Sequence, residues 1–304
     1  MYSIAFHNKY NHPLPEGHRF PMAKYDLLQQ QLLFRGIATE EQFFEPQKVL
    51  LSDVYKVHDQ SYTDNFVNLK LSPKEARQIG FEQNQDIIDR ELLLIGGTIQ
   101  GALNSFNDGI AFNIAGGTHH ACKANGEGFC MLNDQAIAGQ YLLDHTSVKK
   151  VLIIDLDVHQ GNGTADIFHG RKDVYTFSMH CEANYPFHKK QSHKDVGLPI
   201  DTKDEAYLSI LEESLKEIAN NFSANFIFYQ AGVDILETDK MGKLKCTLEG
   251  CKERDRMVME FAKRQNIPMQ CSMGGGYSPE LKTILEAHTN TFEVATEIFN
   301  FVKQ

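Results

Sequence analysis

The sequence lacks several features that mark particular classes of protein. Its six cysteines are few for 304 residues and include no CxxC pair, which excludes a zinc ribbon and indicates reduced thiols. No apolar run approaches the roughly 18 residues that a membrane span needs, and the N-terminus shows no basic segment followed by a long apolar stretch. We therefore expect a cytoplasmic protein with no membrane span.

Positive charge is also in short supply. The 30 lysines and arginines stand against 40 aspartates and glutamates, which gives a formal net charge of -10. Such a balance offers no electrostatic attraction for nucleic acid or an anionic membrane, so we expect no direct nucleic-acid partner. A basic or neutral substrate fits this charge better.

Apolar runs alternate with helical patterns along the whole sequence. The runs predict five buried strands: Ala111 to Ala115, Val151 to Asp155, Val174 to Ser178, Asn225 to Ala231 and Ile267 to Ser272. Their continuous apolarity, without polar alternation, indicates a parallel sheet that is covered on both faces. Since no repeat, linker or low-complexity tract interrupts the pattern, we expect residues 1–304 to form one α/β domain.

Several helices have recognisable beginnings. Ser72 to Glu75 and Thr202 to Glu205 have the capping-box pattern, in which Glu follows the cap by three positions. Ser278-Pro279 predicts another helix start, with Pro at the first helical position. The apolar positions between Ile87 and Phe106 keep helical spacing across Gly96-Gly97, which predicts a long helix packed on the core.

Polar residues follow four of the predicted strands at the point where each strand ends. The four segments are Gly116-Gly117-Thr118-His119-His120, Asp155-Leu156-Asp157-Val158-His159, Gly232-Val233-Asp234 and Gly274-Gly275-Gly276-Tyr277. Because the carboxyl ends of parallel strands lie along one edge of a sheet, we expect these segments to converge on one ligand site.

The segment after the second strand has the residue types of a metal site. Asp155, Asp157 and His159 share one face of an extended chain, and buried carboxylates repel unless a cation lies between or beside them. Asp157 and His159 offer two ligands, and Asp234 offers a third. Three ligands with an open position are typical of catalytic zinc. The alternative for this segment alone is that its carboxylates cap a neighbouring helix.

Two further features favour catalysis. The adjacent His119 and His120 suit proton transfer, and the preceding glycines allow the close backbone approach that would aim both imidazoles into a cavity. Tyr277, at a corner between strand and helix, can donate a hydrogen bond to a developing oxyanion. The alternative for Tyr277 is simple packing or a surface turn.

Together these residues resemble the zinc-dependent histone deacetylase family. The matching motifs are Gly116-Gly117-x-His119-His120, Gly128-Phe129-Cys130 with Asn133-Asp134, Asp155-x-Asp157-x-His159-x-Gly161-Asn162-Gly163-Thr164, Ala231-Gly232-x-Asp234 and Gly274-Gly275-Gly276-Tyr277. They run in order from His12-Pro13 to Tyr277. The form around Asp155 and the short chain are most similar to the class IV branch and its bacterial relatives.

The resemblance implies a fold, a reaction and ions. The fold is the arginase/deacetylase fold, with one eight-stranded parallel sheet sandwiched by helices. The reaction is removal of an acyl group from acyl-lysine in proteins, or from a similar N-acyl amine. Asp157, His159 and Asp234 would bind Zn²⁺, although Fe²⁺ accepts the same ligands. Asp155 and Ser178 would help to bind K⁺.

The resemblance also implies residue roles. His120 would be the general base and then acid, His119 would act through its charge, and Tyr277 would donate to the oxyanion. Asp155 would orient His119. The acyl-lysine tunnel would be lined by Gly128, Phe129, Phe187 and Met241.

One position departs from the class I pattern of the family. Asn162 stands where class I enzymes have the Asp that pairs with the second histidine. Asn accepts a hydrogen bond but carries no charge, so it stabilises the imidazolium of His120 less than a carboxylate would. No acidic rim residue that would hold a substrate backbone is identifiable.

Two alternatives stay open at this point, and a third is excluded. A polyamine or small-amine deacetylase is consistent with the acidic surface, and a catalytically inactive acyl-lysine binding protein is opposed by the intact set of ligands, histidines and Tyr277. An arginase-like binuclear manganese enzyme would need more carboxylates than Asp157-Val158-His159 provides.

Overall fold

Eight parallel strands form one sheet in residues 1–299, the part of the chain that this computed structural model describes. The strands are β1 (Ser3–Ala5), β2 (Phe43–Phe44), β3 (Ile110–Asn113), β4 (Val151–Asp155), β5 (Val174–Cys181), β6 (Lys194–Leu198), β7 (Phe226–Gln230) and β8 (Met269–Ser272). Their order across the sheet is β2-β1-β3-β8-β7-β4-β5-β6. The four strands that precede the polar segments are therefore neighbours, and the predicted fold class is confirmed.

Helices flank the sheet in two packed groups. They are α1 (Lys24–Phe34), α2 (Leu51–Val54), α3 (Gln60–Val67), α4 (Pro73–Ile79), α5 (Gln85–Asp108), α6 (Asp134–His145), α7 (Asn162–Ile167), α8 (Asp204–Asn221), α9 (Leu248–Arg264) and α10 (Leu281–Ile298). Helix α5 packs on α6, β1, β3 and β8, whereas α1, α10, α9 and α8 pack side by side in that order. Among residues 1–299 we find no helix with the length and apolarity needed to cross a bilayer.

The central strands are buried along their whole length. Every residue of β3, β4, β7 and β8 is buried, as their continuous apolarity predicts for strands covered on both faces. All five predicted strands are present, and β5 extends three residues beyond its predicted end, to Cys181. Three strands were not predicted, because β1 and β2 are too short to show a pattern and β6 is a half-buried edge strand.

The long covering helix is confirmed as α5, and its two glycines have a packing role. A Cβ atom on Gly96 would lie 1.7 Å from the carbonyl oxygen of Gln47, and one on Gly97 would lie 2.5 Å from the Tyr10 hydroxyl. Each glycine lowers the stability of the helix by roughly 1 kcal/mol relative to alanine. Glycine is nevertheless required here, because any larger residue would collide with the segments that contain Gln47 and Tyr10.

One of the three predicted helix starts is confirmed. The Ser72 hydroxyl accepts a hydrogen bond from the Glu75 amide, and Glu75 accepts one from the Ser72 amide, as a capping box requires. The box at Thr202 is wrong, because the Thr202 hydroxyl donates to the Pro199 carbonyl and α8 begins at Asp204. The start at Ser278 is also wrong, since the Ser278 hydroxyl pairs with Thr238 and α10 begins at Leu281.

Candidate active site

A cavity of about 300 Å³ lies where the central strands end. Its walls include residues from all four polar segments: Gly116, Gly117, His119, His120, Asp157, His159, Asp234, Gly274, Gly275 and Tyr277. The strands β3, β8, β7 and β4 are adjacent and parallel, so their carboxyl ends deliver these side chains to one place. The expected convergence is therefore observed.

Three of these residues form a cluster of metal-ligand geometry. One ligand atom from each of Asp157, His159 and Asp234 lies within 4.8 Å of the others, and all three side chains are buried. The His159 Nδ1 atom is 3.0 Å from Asp157 Oδ1 and 3.2 Å from Asp234 Oδ2. Asp234 Oδ2 has no hydrogen bond to any residue of the described chain. A buried carboxylate oxygen without a hydrogen bond fits a metal ligand.

The electrostatics of the cluster show the same preference for a cation. Burial lowers the pKa of His159, but the adjacent carboxylates of Asp157 and Asp234 outweigh burial and raise this pKa to about 10. Burial and the charge of Asp157 raise the pKa of Asp234 to about 7. Without a metal, the cluster therefore holds protons where a divalent cation would supply the positive charge.

The two adjacent histidines have opposite proton affinities. Burial lowers the pKa of His119, but the charges of Asp155 and Asp157 outweigh burial and raise this pKa to about 9. Burial lowers the pKa of His120 well below its usual value, and the charges of His119 and His159 lower it further. The ring centroids are 4.1 Å apart. Near neutral pH, the His119 imidazole is therefore protonated and the His120 imidazole is neutral.

Each histidine has its own partner. His119 Nδ1 is 2.7 Å from Asp155 Oδ2, and His120 Nδ1 is 2.6 Å from Asn162 Oδ1. Asp155 also accepts a hydrogen bond from the Asp157 amide, so its carboxylate is occupied and lies outside the metal cluster. The distances place Asp155 and Asn162 as the groups that orient the two imidazoles.

Glycines before the histidines bring the backbone close to buried polar groups. Gly116 and Gly117 both have left-handed φ values, 91° and 75°. A Cβ atom on Gly117 would lie 1.9 Å from Gln230 Oε1, and one on Gly116 would lie 2.6 Å from Asp134 Oδ2. The chain therefore turns sharply after β3, and this turn brings the histidines to the cavity.

Tyr277 lies half-buried in the cavity wall, and its backbone is held by a residue that the sequence analysis missed. The Tyr277 amide donates to Asp239 Oδ2 at 2.6 Å, while Asp239 Oδ1 accepts from the amides of Met241 and Gly242. Asp239 thus joins the Tyr277 loop to the Met241 loop. Its position five residues after Asp234, in the same loop, was the signal available in the sequence.

A buried lysine contacts the cavity wall from behind, at Gly274. Lys24 Nζ donates to the carbonyl oxygen of Gly274 at 2.6 Å, and burial lowers its pKa to about 8, although Asp234 and Asp157 act in the opposite direction. Sequence reasoning missed Lys24 because nothing in its local pattern distinguishes it from other lysines at helix starts.

The predicted tunnel walls are present except for one. Gly128, Phe129 and Met241 line the cavity. Gly128 has a φ of 56°, and a Cβ atom there would lie 2.8 Å from the His120 ring. Phe187 does not line the cavity, since 85% of its surface is exposed. Tyr185 takes its place, with its ring edge-on to His120 at 5.0 Å.

The structure corrects the assignment of Phe187 for a local reason. Tyr185 precedes Pro186 and its ring turns inward, whereas Phe187 follows the proline and its ring turns outward. Phe20 adds a further aromatic wall, with its ring centroid 5.4 Å from that of Phe129 and 6.1 Å from that of Tyr277. The cavity wall next to the cluster of Asp157, His159 and Asp234 is therefore largely aromatic.

The residues expected to bind a monovalent cation lie together. Asp155 and Ser178 are partners in the register of β4 and β5, and both are buried. Ser178 Oγ lies 3.0 Å from His180 Nδ1 and accepts a hydrogen bond from the Gly161 amide at 3.4 Å. Binding of K⁺ beside them stays a prediction.

The cavity mouth carries positive charge. Arg19 and Arg77 are exposed, line the cavity and form no ion pair with any residue of the described chain. Neither residue was singled out in the sequence, because the rim is assembled from segments that are remote in the chain.

Comparisons with known proteins identify the family to which the chain belongs. Residues 18–292 match the family model of the histone deacetylase domain. The chain is 39% identical to an uncharacterized protein of Picosynechococcus sp., over 98% of this chain and 99% of that one. It is 32% identical to histone deacetylase 2 of Arabidopsis thaliana, over 86% of this chain and 70% of that one. The crystal structure of an HDAC homolog from Aquifex aeolicus superposes with a TM-score of 0.81 at 23% identity, covering 98% and 84% of the two chains.

The chain therefore belongs to the histone deacetylase family. It is a hydrolase of the deacetylase type, as the sequence predicted. Its assignment to the class IV branch stays a prediction.

Proposed function

We propose that this enzyme uses zinc to hydrolyse the side-chain amide of an acylated lysine in a protein or peptide. One observation carries the proposal. The cluster of Asp157, His159 and Asp234 shares one cavity with a neutral histidine and a tyrosine, at the end of an aromatic tunnel. This combination provides a metal site, a base and an oxyanion donor around a slot for a linear chain.

The residues present fit a zinc ion. Asp157, His159 and Asp234 would hold it, since they supply two oxygens and one nitrogen and leave a position free. When bound, zinc supplies Lewis acidity to the amide carbonyl and to the attacking water. The buried and otherwise unpaired oxygen of Asp234 supports this assignment.

The side chains around the cluster have distinct tasks. Neutral His120 takes a proton from the water as it adds to the carbonyl carbon, and then gives a proton to the amine as the C–N bond breaks. His119 keeps its proton, because Asp155 and Asp157 stabilise its charge, and acts on the developing negative charge. Tyr277 donates a hydrogen bond to the developing oxyanion. The products are a carboxylate and the ammonium form of the lysine side chain, which carries both protons of the water molecule.

The charge of the cavity mouth favours acyl-lysine over an acylated polyamine. Arg19 and Arg77 would repel the additional ammonium groups of a polyamine, whereas an acyl-lysine side chain is uncharged until the amide is broken. The wider surface is acidic, but the two arginines lie much closer to the substrate. An acylated polyamine is therefore a less favoured substrate than acyl-lysine.

The test is a hydrolysis profile with the zinc-loaded enzyme. We expect kcat/KM for acetyl-lysine or longer acyl-lysine peptides to exceed that for acetylpolyamines, and the Arg19→Ala, Arg77→Ala double variant to reduce the difference. A Lys149→Ala, Lys172→Ala double variant removes two exposed charges outside the cavity lining and serves as the control. Faster hydrolysis of acetylpolyamines would overturn the substrate assignment.

Two further measurements test the chemistry itself. Release of the free carboxylate must accompany loss of the acyl-lysine, because binding without release would identify an inactive acyl-lysine binding protein. A hydroxamate on a linear apolar linker should inhibit by chelating the metal at the end of the tunnel. If active enzyme is insensitive to such a compound at high concentration, the tunnel is closed or lined differently.

A further inference from the structure

We propose that Glu127 is a positioning residue that fixes the tautomer of His120 through the side-chain amide of Asn162. The inference rests on the proposed function, in which His120 is the base. It concerns a residue outside every motif that the sequence analysis identified as functional, although it directly precedes Gly128.

Three side chains form a chain of short hydrogen bonds. His120 Nδ1 lies 2.6 Å from Asn162 Oδ1, and Asn162 Nδ2 donates to Glu127 Oε1 at 2.5 Å. His120 and Asn162 are buried, and Glu127 is half-buried. The remaining oxygen of Glu127 accepts a hydrogen bond from Gln78 Nε2 at 2.8 Å. The Glu127 carboxylate is thus held at the outer end of this chain of hydrogen bonds from His120 through Asn162 to Glu127, which we call the relay.

The backbone of Glu127 is also fixed. Its amide donates to the Cys130 carbonyl, and the Cys130 amide donates to the Glu127 carbonyl, both at 2.9 Å. This bridge closes the tight turn that contains Gly128 and Phe129, both of which have left-handed φ values. The carboxylate therefore has little freedom to leave Asn162.

The direction of the relay follows from the chemistry of its members. An ionised carboxylate only accepts hydrogen bonds, so the NH₂ group of Asn162 must face Glu127. The amide oxygen then faces His120, and because this oxygen only accepts, His120 Nδ1 must carry the proton. His120 Nε2 is left with its lone pair free, which is the form required to take a proton from water.

Without Glu127 the amide of Asn162 can turn by 180°. Its NH₂ group would then donate to His120 Nδ1, and the imidazole would carry its proton on Nε2 instead, where it cannot act as a base. Cys122 Sγ, 3.8 Å from Asn162 Nδ2, is too weak an acceptor to prevent this rotation.

The experiment compares Glu127→Gln and Glu127→Leu with wild-type enzyme, all loaded with zinc. Glu127→Leu removes the acceptor, whereas Glu127→Gln keeps an acceptor oxygen without the charge. The control is Glu213→Gln, an exposed change of the same charge on α8. ¹⁵N spectra of histidine-labelled protein, assigned with a His120→Ala variant, report which ring nitrogen of His120 carries the proton.

We expect wild type to show the Nδ1–H form, and Glu127→Leu to show a substantial Nε2–H population with kcat reduced about 10- to 100-fold and KM little changed. Glu127→Gln should fall between the two. An unchanged tautomer in Glu127→Leu would overturn the proposal even if activity falls. If Glu127→Leu does not fold, Glu127→Gln with wild-type kcat and wild-type spectra would overturn it equally.

A paired substitution tests the relay from its other end. Asn162→Asp alone places two carboxylates in contact, so we expect low activity and lower stability. Adding Glu127→Gln supplies an NH₂ group to the new carboxylate and should restore activity at least tenfold over Asn162→Asp. An absence of rescue would contradict the relay. The NMR measurement needs no turnover, so a failure of the proposed acyl-lysine activity would be recognised separately.

Discussion

Gly275→Ala should strongly weaken zinc binding without changing any of the proposed ligands. The new Cβ atom would lie 2.1 Å from Asp234 Oδ2 and 2.6 Å from Asp157 Oδ2, and ordinary contact begins at 3.4 Å. Asp234 Oδ2 must therefore retreat by about 1.3 Å. The φ of Gly275 lies outside the left-handed region, so alanine introduces no backbone strain there.

The displacement is large on the scale of metal coordination. Ligand distances in functional metal sites vary by only about 0.2 Å, so Asp234 can no longer ligate together with Asp157 and His159. Changes in the groups that merely support metal ligands already cost about 10- to 100-fold in affinity. We expect Gly275→Ala to weaken zinc binding by about 100-fold or more, equivalent to about 2.7 kcal/mol.

Competition with a zinc chelator measures the affinity, and thermal unfolding with and without zinc measures the linked stabilisation. The matched control is Gly139→Ala in α6, where the new Cβ atom would make only ordinary contacts, the nearest at 3.6 Å from Val151. Circular dichroism should show that both variants fold. A folded Gly275→Ala protein that binds zinc with wild-type affinity would refute the assignment of the cluster.

Three other predictions test the proton chemistry. Tyr277→Phe should lower kcat by about 100-fold or more with little change in substrate Kd, and a near-normal kcat would leave Tyr277 with a packing role. In zinc-loaded enzyme, His120→Ala should reduce kcat by about 10²- to 10⁴-fold and His119→Ala by less, so equal losses would reject their separate roles. Zinc affinity should rise about tenfold per pH unit between about pH 7.5 and 9. In this range His159 of the metal-free enzyme is still protonated, because its pKa is raised to about 10, and zinc must displace that proton. Asp234, with a pKa of about 7, has already lost its proton. Calorimetry in buffers of different ionisation enthalpy should show about one proton released per zinc ion, and an affinity independent of pH would contradict this reasoning.

The strands that position the site were predictable because their local sequence is unambiguous. β4 and β7 are continuous apolar runs, and each ends on a polar segment whose members are close in the chain. β6 was missed because an edge strand is buried on one side only and carries charged residues such as Lys194. Helix starts were less predictable, since Thr202 and Ser278 use their hydroxyl groups for other hydrogen bonds.

Some site residues could likewise be predicted from the local sequence, and others could not. His119, Asp157 and Asp234 belong to short motifs, and the topology alone brings them together. Tyr185 and Phe187 differ only in which side of one proline they occupy, and the direction of a side chain at such a turn depends on packing that the sequence does not show. The contact between Glu127 and Asn162 joins segments 35 residues apart and was not recognisable from either segment.

The place of β8 in the sheet has a consequence for biosynthesis. β8 is the last strand to be made, yet it lies at the centre, where it pairs with β3 on one side and β7 on the other. Until residues 269–272 are made, no strand of the described chain lies between β3 and β7 to join β2-β1-β3 and β7-β4-β5-β6 into one sheet. His119 and His120 follow a strand of the first half, whereas Asp157, His159 and Asp234 follow strands of the second. Because β8 completes the sheet between these strands and leads into Tyr277, we expect the site to be complete only after nearly the whole chain has been translated.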